Sequence, residues 1–464
     1  MPLPNPVGLQ AEVLYLHEKG HFVVLGTAGS GKTTLAILRA AYLAKTHCSQ
    51  EERVLLVTFN TTLVTYLRTI SDNELSKVDV CNYHKFARGY LASRGKMGWN
   101  VIVPAKKKFE LIKKAIQFVK EQYPINSTLD RNPEVFLEEI NWLENMGIKT
   151  LEEYEEVERI GRGSTWIARV NRKYFFYVYL KYLQLREEAG YKYDFEDLAS
   201  FVSSEFENDD TPRLYKHIII DEGQDFSPTM LQSLVKAVSK DGSLTYFGDV
   251  AQQIYGSRIS WRSAGLVNPK IWRFNQNYRN TKEIAALGLA ISRMPYFPDD
   301  ADLVEPSFPR ASGPLPALIQ FSSENEELDF YIKHIIVPNR TKSIAILVRD
   351  REMVKFVKNK IGKLIPFQEL HRDMKRFISG PCISIGTYHS AKGLEFDTVI
   401  LPFCNSKRLP AEERIKALEN RVEALKEEIK LLYVAVTRAK TELYISYSGE
   451  KTELLPDDPG LYQS

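Results

Sequence analysis

Two rhythms of apolar and polar residues run along this chain. Short unbroken apolar runs recur at Phe22-Val23-Val24-Leu25, Val54-Leu55-Leu56-Val57, Ile218-Ile219-Ile220, Leu244-Thr245-Tyr246-Phe247 and Ile344-Ala345-Ile346-Leu347-Val348. Each ends in glycine or polar residues, the signature of a strand buried on both faces of a parallel sheet. Helical patterns lie between them, as in Leu35-Ala36-Ile37-Leu38 and from Ile284 to Ile291. Strands alternating with helices predict an α/β chain. Residues 89 to 189 break the alternation, because helical periodicity dominates there, as from Phe109 to Ile116. The aromatic run from Tyr174 to Tyr182 reads as helix core. Ile415, Leu418, Val422, Leu425, Ile429 and Leu432 recur at alternating gaps of three and four. That spacing predicts one helix of about five turns with a single apolar stripe, packed on its own core or docking a partner helix.

Bulk properties narrow the picture only a little. A chain of 464 residues suggests about three domains. The net charge is +3, so any nucleic-acid contact must come from a local patch. One candidate patch gathers Lys96, Lys106, Lys107, Lys108, Lys113, Lys114 and Lys120, either a solvated face or a strip that neutralises phosphates. Cys48, Cys81, Cys382 and Cys404 are scattered without metal-site spacing, which fits a reducing cytosol and a cytoplasmic location. The N-terminal residues lack the regions of a signal peptide, and no apolar run approaches the length of a membrane helix.

The chemistry concentrates at strand ends. Gly26-Thr27-Ala28-Gly29-Ser30-Gly31-Lys32-Thr33-Thr34 follows the first apolar run and opens a helix. This is the strand–loop–helix setting of a phosphate-binding Walker A loop. Its glycines let backbone N–H groups converge on a phosphate chain, Lys32 can reach the terminal phosphates, and Thr33 can hold Mg²⁺. Asp221-Glu222 at the end of another buried run forms the Walker B arrangement. Asp221 suits Mg²⁺, and Glu222 suits the orientation and deprotonation of an attacking water. Together these two motifs imply hydrolysis of a nucleoside triphosphate. Gln10 lies on a short amphipathic pattern upstream, where an amide can read an adenine edge or simply face solvent. Phe59 and Tyr83, at two further strand ends, read equally as core aromatics or as stacking platforms for unpaired bases. Gln252 and Tyr255 follow the strand ending at Phe247, where an amide can sense the γ-phosphate. Arg279 closes the stretch Asn277-Tyr278-Arg279, where its charge can aim at the triphosphate.

Six stretches then carry a resemblance. The loop from Gly26 to Thr33, Asp221-Glu222-Gly223-Gln224-Asp225, Gly248-Asp249 with Gln252 and Tyr255, and Asn277-Tyr278-Arg279 resemble motifs I to IV of UvrD/Rep-type superfamily 1 helicases. Thr387-Tyr388-His389-Ser390-Ala391-Lys392-Gly393-Leu394-Glu395-Phe396 resembles motif V, and Leu432 to Lys440 resembles motif VI. Their order and spacing match from residue 10 to residue 445. The resemblance implies two RecA-like P-loop NTPase domains that sandwich ATP, with a helical accessory domain. It assigns residues 1–88 and 190–275 to the first RecA-like domain and 89–189 to the accessory domain. Residues 276–464 form the second, with a helical insertion near 408–431. Gln10 and Tyr278 would contact adenine, Gln252 would couple the γ-phosphate to the DNA side, Arg279 and Arg438 would be arginine fingers, and Glu395 would touch the nucleotide. Phe59, Tyr83, His84, Tyr255, Arg258 and His389 would contact single-stranded or tailed duplex DNA, with 3′-to-5′ movement implied.

The chain also departs from that pattern. Ser257 stands where many relatives carry a stacking Trp, and Thr34 stands where some carry Arg. Only about a hundred residues separate Asn280 from Thr387, enough for a second RecA-like domain without the large insertion of well-known relatives. That shortness opens an alternative, a DNA-stimulated ATPase that serves a partner nuclease or repair protein. No nuclease-like carboxylate cluster stands out in the chain itself.

Overall fold

The computed structural model describes residues 6, 8–27, 29–58, 77–157, 167–249, 261, 264–266, 269–275, 277, 280–297, 311–362, 364–371, 374, 377–378, 380–418 and 420–463, the side chains of 416–418 excepted. The buried apolar runs form strands, as their pattern predicts. β1 (Gly20–Gly26), β2 (Arg53–Thr58), β3 (Val78–Asn82), β4 (Tyr215–Ile220), β5 (Val238–Gly248) and β6 (Lys270–Phe274) make one parallel sheet in the order β3-β2-β4-β5-β1-β6. β7 (Ala317–Phe321), β8 (Ser343–Val348), β9 (Gln368–Glu369), β10 (Cys382–Thr387), β11 (Phe396–Leu401) and β12 (Ala439–Ser448) make a second, also parallel, in the order β7-β12-β11-β8-β10-β9. The protein therefore has two parallel-sheet α/β domains.

Helices cover both faces of each sheet, which is why the central strands are apolar at successive positions. The Lys32–Thr46 helix closes one face of the first sheet through Leu35, Ile37, Ala40 and Leu43. The helices Tyr83–Ser93, Leu198–Glu207 and Pro228–Ala237 close the other. On the second sheet, the helices Lys282–Ser292 and Arg421–Val436 bury Leu287, Leu425 and Leu432 on one side. The helices Glu324–Tyr331 and Arg351–Ile361 pack Leu328 and Val357 on the opposite side.

Between β3 and β4 the chain builds a helical region with its own core. The helices Ala105–Gln122, Pro133–Met146 and Arg169–Glu188 converge on Ile112, Phe136, Leu143, Phe175 and Tyr182. The aromatic run is core at Phe175, Phe176, Tyr179 and Tyr182, whereas Tyr174 and Tyr177 are half-buried and pack on Tyr123. The lysine strip is engaged within the protein in part, while Lys106, Lys113 and Lys114 stay exposed. Lys96 pairs with Glu205, Lys107 with Glu110 and Lys120 with Asp130, while Lys108 is buried among Glu144, Asp194 and Glu196.

The expected five-turn helix is also corrected. It divides into Glu412–Leu418 and Arg421–Val436. Asn420 forms the break, because its side chain accepts from the backbone N–H groups of Val422 (3.0 Å) and Glu423 (3.2 Å) and starts a new helix. Val422 falls off the buried stripe and is half exposed. All four cysteines are free thiols, and among the described residues no helix is long and apolar enough to cross a membrane.

Candidate active site

The glycine-rich loop expected to bind phosphate hangs from the end of β1. Gly29 (φ 79°) and Gly31 (φ 83°) take left-handed backbone conformations that glycine alone adopts cheaply. Gly31 also caps the Lys32–Thr46 helix, so the helix N-terminus faces the loop. The Lys32 ammonium is buried and donates to the carbonyls of Gly26 and Thr27, both at 2.7 Å. It lies 3.8 Å from the Asp249 carboxylate. The hydroxyls of Thr27 and Ser30 are buried without a hydrogen-bond partner. Gln10 is not a solvent-facing amide: it donates to the Ser30 carbonyl at 3.0 Å, which seats it against the loop. Thr33 and Thr34 are half-buried in the first turn of the helix.

β4 delivers the acidic half. Asp221 donates its N–H to the Val57 carbonyl (2.9 Å), and its carboxyl is almost fully buried. Neither carboxyl oxygen has a hydrogen-bond partner of good geometry. Burial and the neighbouring Glu222 push this carboxyl up to about 7, opposed by Thr33 and Lys32. A buried carboxylate beside a threonine hydroxyl, with unfilled oxygen lone pairs, fits a hard divalent cation such as Mg²⁺. Glu222 sits at φ 53° and ψ 42°, a left-handed conformation that costs a side chain about 1 kcal/mol or more. Burial works against ionisation of Glu222, but Lys392, Lys32 and Arg438 outweigh it and hold the carboxyl below its ordinary value. Gln224 donates to Glu222 (2.5 Å) and accepts from the Asp249 N–H (2.9 Å), so one amide fixes both acidic segments.

The second sheet supplies the opposing charge. Arg438 follows the Arg421–Val436 helix and is buried. It donates to the carbonyls of Val434 (3.0 Å) and Leu394 (3.4 Å) and to the Thr437 hydroxyl (3.3 Å). These bonds hold its positive charge where it acts on Glu222. Lys392, in the turn after β10, is buried and donates to Asp225 on the first sheet at 2.5 Å. Burial raises the Asp225 carboxyl to about 6 against the pull of Lys392. Sequence reasoning included Lys392 in a motif without giving it a role. A lysine between Ala391 and Gly393, at the end of a buried strand, was the available signal, because lysine is rarely buried unpaired. Asn280 joins two later segments by donating to the carbonyls of Thr437 (3.2 Å) and Ala439 (2.5 Å).

The remaining candidates scatter. Glu395 is exposed, just ahead of β11. His389 is half-buried, and burial together with Arg349, Lys392 and Arg414 pushes its imidazole down to about 3, so it is neutral at pH 7. His84 packs edge-on against Phe195 with ring centres 5.2 Å apart. Tyr83 is corrected from stacking platform to core: it is fully buried, it contacts Phe86 and Phe226, and its hydroxyl bonds Ser233 at 2.6 Å. No ring face remains open to a base. Ala28, Phe59, Gln252, Tyr255, Arg258, Tyr278 and Arg279 lie outside the described residues.

Comparison with known proteins matches the sequence to a family. Residues 9–278 match the UvrD/REP helicase N-terminal domain, and residues 355–450 match the UvrD-like helicase C-terminal domain. The chain belongs to the UvrD/REP helicase family. Its similarity to individual members of that family is modest. It is 24% identical to the ATP-dependent DNA helicase srs2 of Schizosaccharomyces pombe over 58% of this chain and 32% of that protein. It is 24% identical to a "Probable DNA helicase" of Mycoplasma pneumoniae over 92% of this chain and 80% of that one. A shorter match to DNA helicase II of Rickettsia typhi reaches 41% over 16% of this chain and 11% of that one. The chain thus spans about a third of the length of the fission-yeast relative.

Proposed function

We propose that this UvrD/REP family chain is an ATP-dependent DNA motor that hydrolyses ATP in the cleft between its two sheets. One observation carries the reading: Glu222 is held ionised by Lys32 from its own sheet and by Lys392 and Arg438 from the other. A base fed by charges from both lobes is sensitive to how the lobes close, which is what ties hydrolysis to movement. Thr33 and Asp221 would hold Mg²⁺, which supplies charge neutralisation on the phosphate oxygens when bound. Glu222, kept ionised, accepts a proton from the attacking water. Lys32 and Arg438, and Arg279 by its motif, stabilise charge on the transferring phosphoryl group. Gln10 and Tyr278 frame the adenine, with Glu395 and Gln252 as further nucleotide contacts.

In this reading residues 89–189 are an accessory domain grown from the first sheet. The strand runs over His84, His389 and the segments holding Phe59, Tyr255 and Arg258, in the 3′-to-5′ direction. The test is ATP turnover with Mg²⁺, with and without single-stranded DNA. It is followed by strand displacement on substrates carrying 3′ DNA, 5′ DNA or RNA tails. Stimulated turnover and displacement from the 3′ DNA tail are expected. A chain whose turnover ignores DNA, or whose Lys32→Ala variant hydrolyses ATP at the parental rate, would overturn the reading. Strong stimulation without displacement would instead favour a DNA-gated ATPase serving a partner.

A further inference from the structure

Two ion pairs among the described residues join the second-sheet domain to the rest of the chain. One, Lys392–Asp225, lies at the chemistry. The other lies at Arg414, on the short Glu412–Leu418 helix. The Arg414 guanidinium is divided between two carboxylates. Nε (2.6 Å) and Nη2 (3.1 Å) donate to Glu427, on the Arg421–Val436 helix that precedes Arg438. Nη1 (2.8 Å) and Nη2 (3.4 Å) donate to Glu138, on the Pro133–Met146 helix of the helical region.

Each end of this link is anchored further. Glu428, next to Glu427, is buried and takes both arms of Arg349 at the end of β8 (2.5 and 2.6 Å). Successive glutamates therefore bind one helix outward to Arg414 and inward to its own sheet. At the far end, the Asn145 carbonyl of the Pro133–Met146 helix accepts from the Thr229 hydroxyl (3.0 Å), four residues beyond Asp225. A contiguous path of hydrogen bonds thus runs from the Arg421–Val436 helix, through Arg414 and Glu138, to the segment that follows Glu222.

We infer that Arg414 is a cross-cleft positioning residue, which uses the Glu138 carboxylate to hold the Arg421–Val436 helix, and with it Arg438, at its working distance from Glu222. The inference rests on the motor reading above. A planar guanidinium with both faces of its fork engaged fixes orientation as well as distance, which a lysine at this position does not do. Glu138→Gln removes the charge from the cross-cleft arm and leaves one amide oxygen to accept from Arg414, while Glu427 still holds Arg414 on its own side.

The test compares the full chain with Glu138→Gln, Glu138→Asp and a control, Asp130→Asn, which breaks an ion pair inside the helical region alone. ATP turnover with Mg²⁺ and single-stranded DNA is measured beside hydrogen–deuterium exchange of residues 412–418. Glu138→Gln is expected to lower kcat about five-fold, with the KM for ATP unchanged and exchange at 412–418 accelerated. Glu138→Asp should restore part of both, and Asp130→Asn should change neither. Unchanged kcat and exchange in Glu138→Gln overturn the inference, as does an equal kcat loss in the control. A parental chain without ATP turnover sinks the motor reading and the positioning role together, while the exchange data separately report whether the contact exists.

Discussion

Two clusters of buried charge sit in this molecule, and they draw their cations from different places. In the helical region, Lys108 lies 2.9 Å from Glu144 and 3.0 Å from both Asp194 and Glu196. Arg186 lies 3.2 Å from Asp194 and 2.5 Å from Asp197. The Tyr182 hydroxyl adds a bond to Asp194 at 2.9 Å. Every carboxylate there has a cation within reach. The surplus acid is absorbed by Glu144, which burial and Asp194 push well above the usual carboxylate range. In the cleft, among the described residues, Asp221 forms no ion pair, and neither of its oxygens has a hydrogen-bond partner of good geometry. The cations near Glu222 come from two separate sheets. Both clusters leave buried atoms unmatched, Glu144 Oε1 in one and the Asp221 oxygens in the other, so what sets the cleft apart is that its cations reach Glu222 from two sheets.

The sharpest way to break this contrast is to neutralise each cluster in turn. Glu222→Gln should lower ATP turnover about 10³-fold while leaving the melting temperature unchanged or higher, as phosphate release and thermal unfolding would record. A melting temperature that falls with activity would place Glu222 among the structural charges instead. Lys108→Met should do the reverse. It strands several buried carboxylates and should cost about 3–5 kcal/mol in urea unfolding, with nucleotide affinity of the folded fraction unchanged.

A smaller effect follows from pH. Asp221 is raised from 3.8 to about 7, so between those values the empty fold holds a proton that the unfolded chain has released. Stability of the empty protein therefore falls as pH rises through that window, then levels off above about 7. A divalent cation competes with this proton. Mg²⁺ affinity, read by calorimetry in the presence of ATP, should weaken about tenfold per pH unit below 7 and be flat above it. Flat affinity from pH 5 to 8 would remove Asp221 from the metal set. The smallest effect tests the tyrosine that changed roles. Tyr83→Phe loses one buried hydrogen bond and should cost about 1 kcal/mol, with single-stranded DNA affinity unchanged. A tenfold loss of affinity would return that ring to the DNA interface.

The same contrast explains what could be read from the chain alone. The strands were legible because a doubly covered strand shows as an unbroken apolar run. The first-sheet half of the site was legible because Gly26 to Thr33 and Asp221-Glu222 are contiguous, with their strand and helix beside them. Lys108 was opaque, since its position in a lysine-rich run looks the same whether its partners at Glu144 and Asp194 exist or not. Tyr83 was ambiguous because a strand end beside a new helix can point either way. The helix break at Asn420 was missed because the apolar spacing continues across it, and only the capping bonds reveal the stop. Lys392 needed its partner on the other sheet before its burial had a meaning.

The strand order carries a consequence for synthesis on the ribosome. β1, which bears the glycine-rich loop, is flanked by β5 and β6 rather than by β2 and β3, which come next in the chain. Even the loop's Thr27 N–H waits for the Phe274 carbonyl. At common elongation speeds, about 10–50 seconds pass between the emergence of Gly26 and that of Phe274. During that interval the loop has its sequence but not its neighbours. The nascent chain completes the proposed nucleotide pocket late, and its earliest-made apolar strand needs shielding until then.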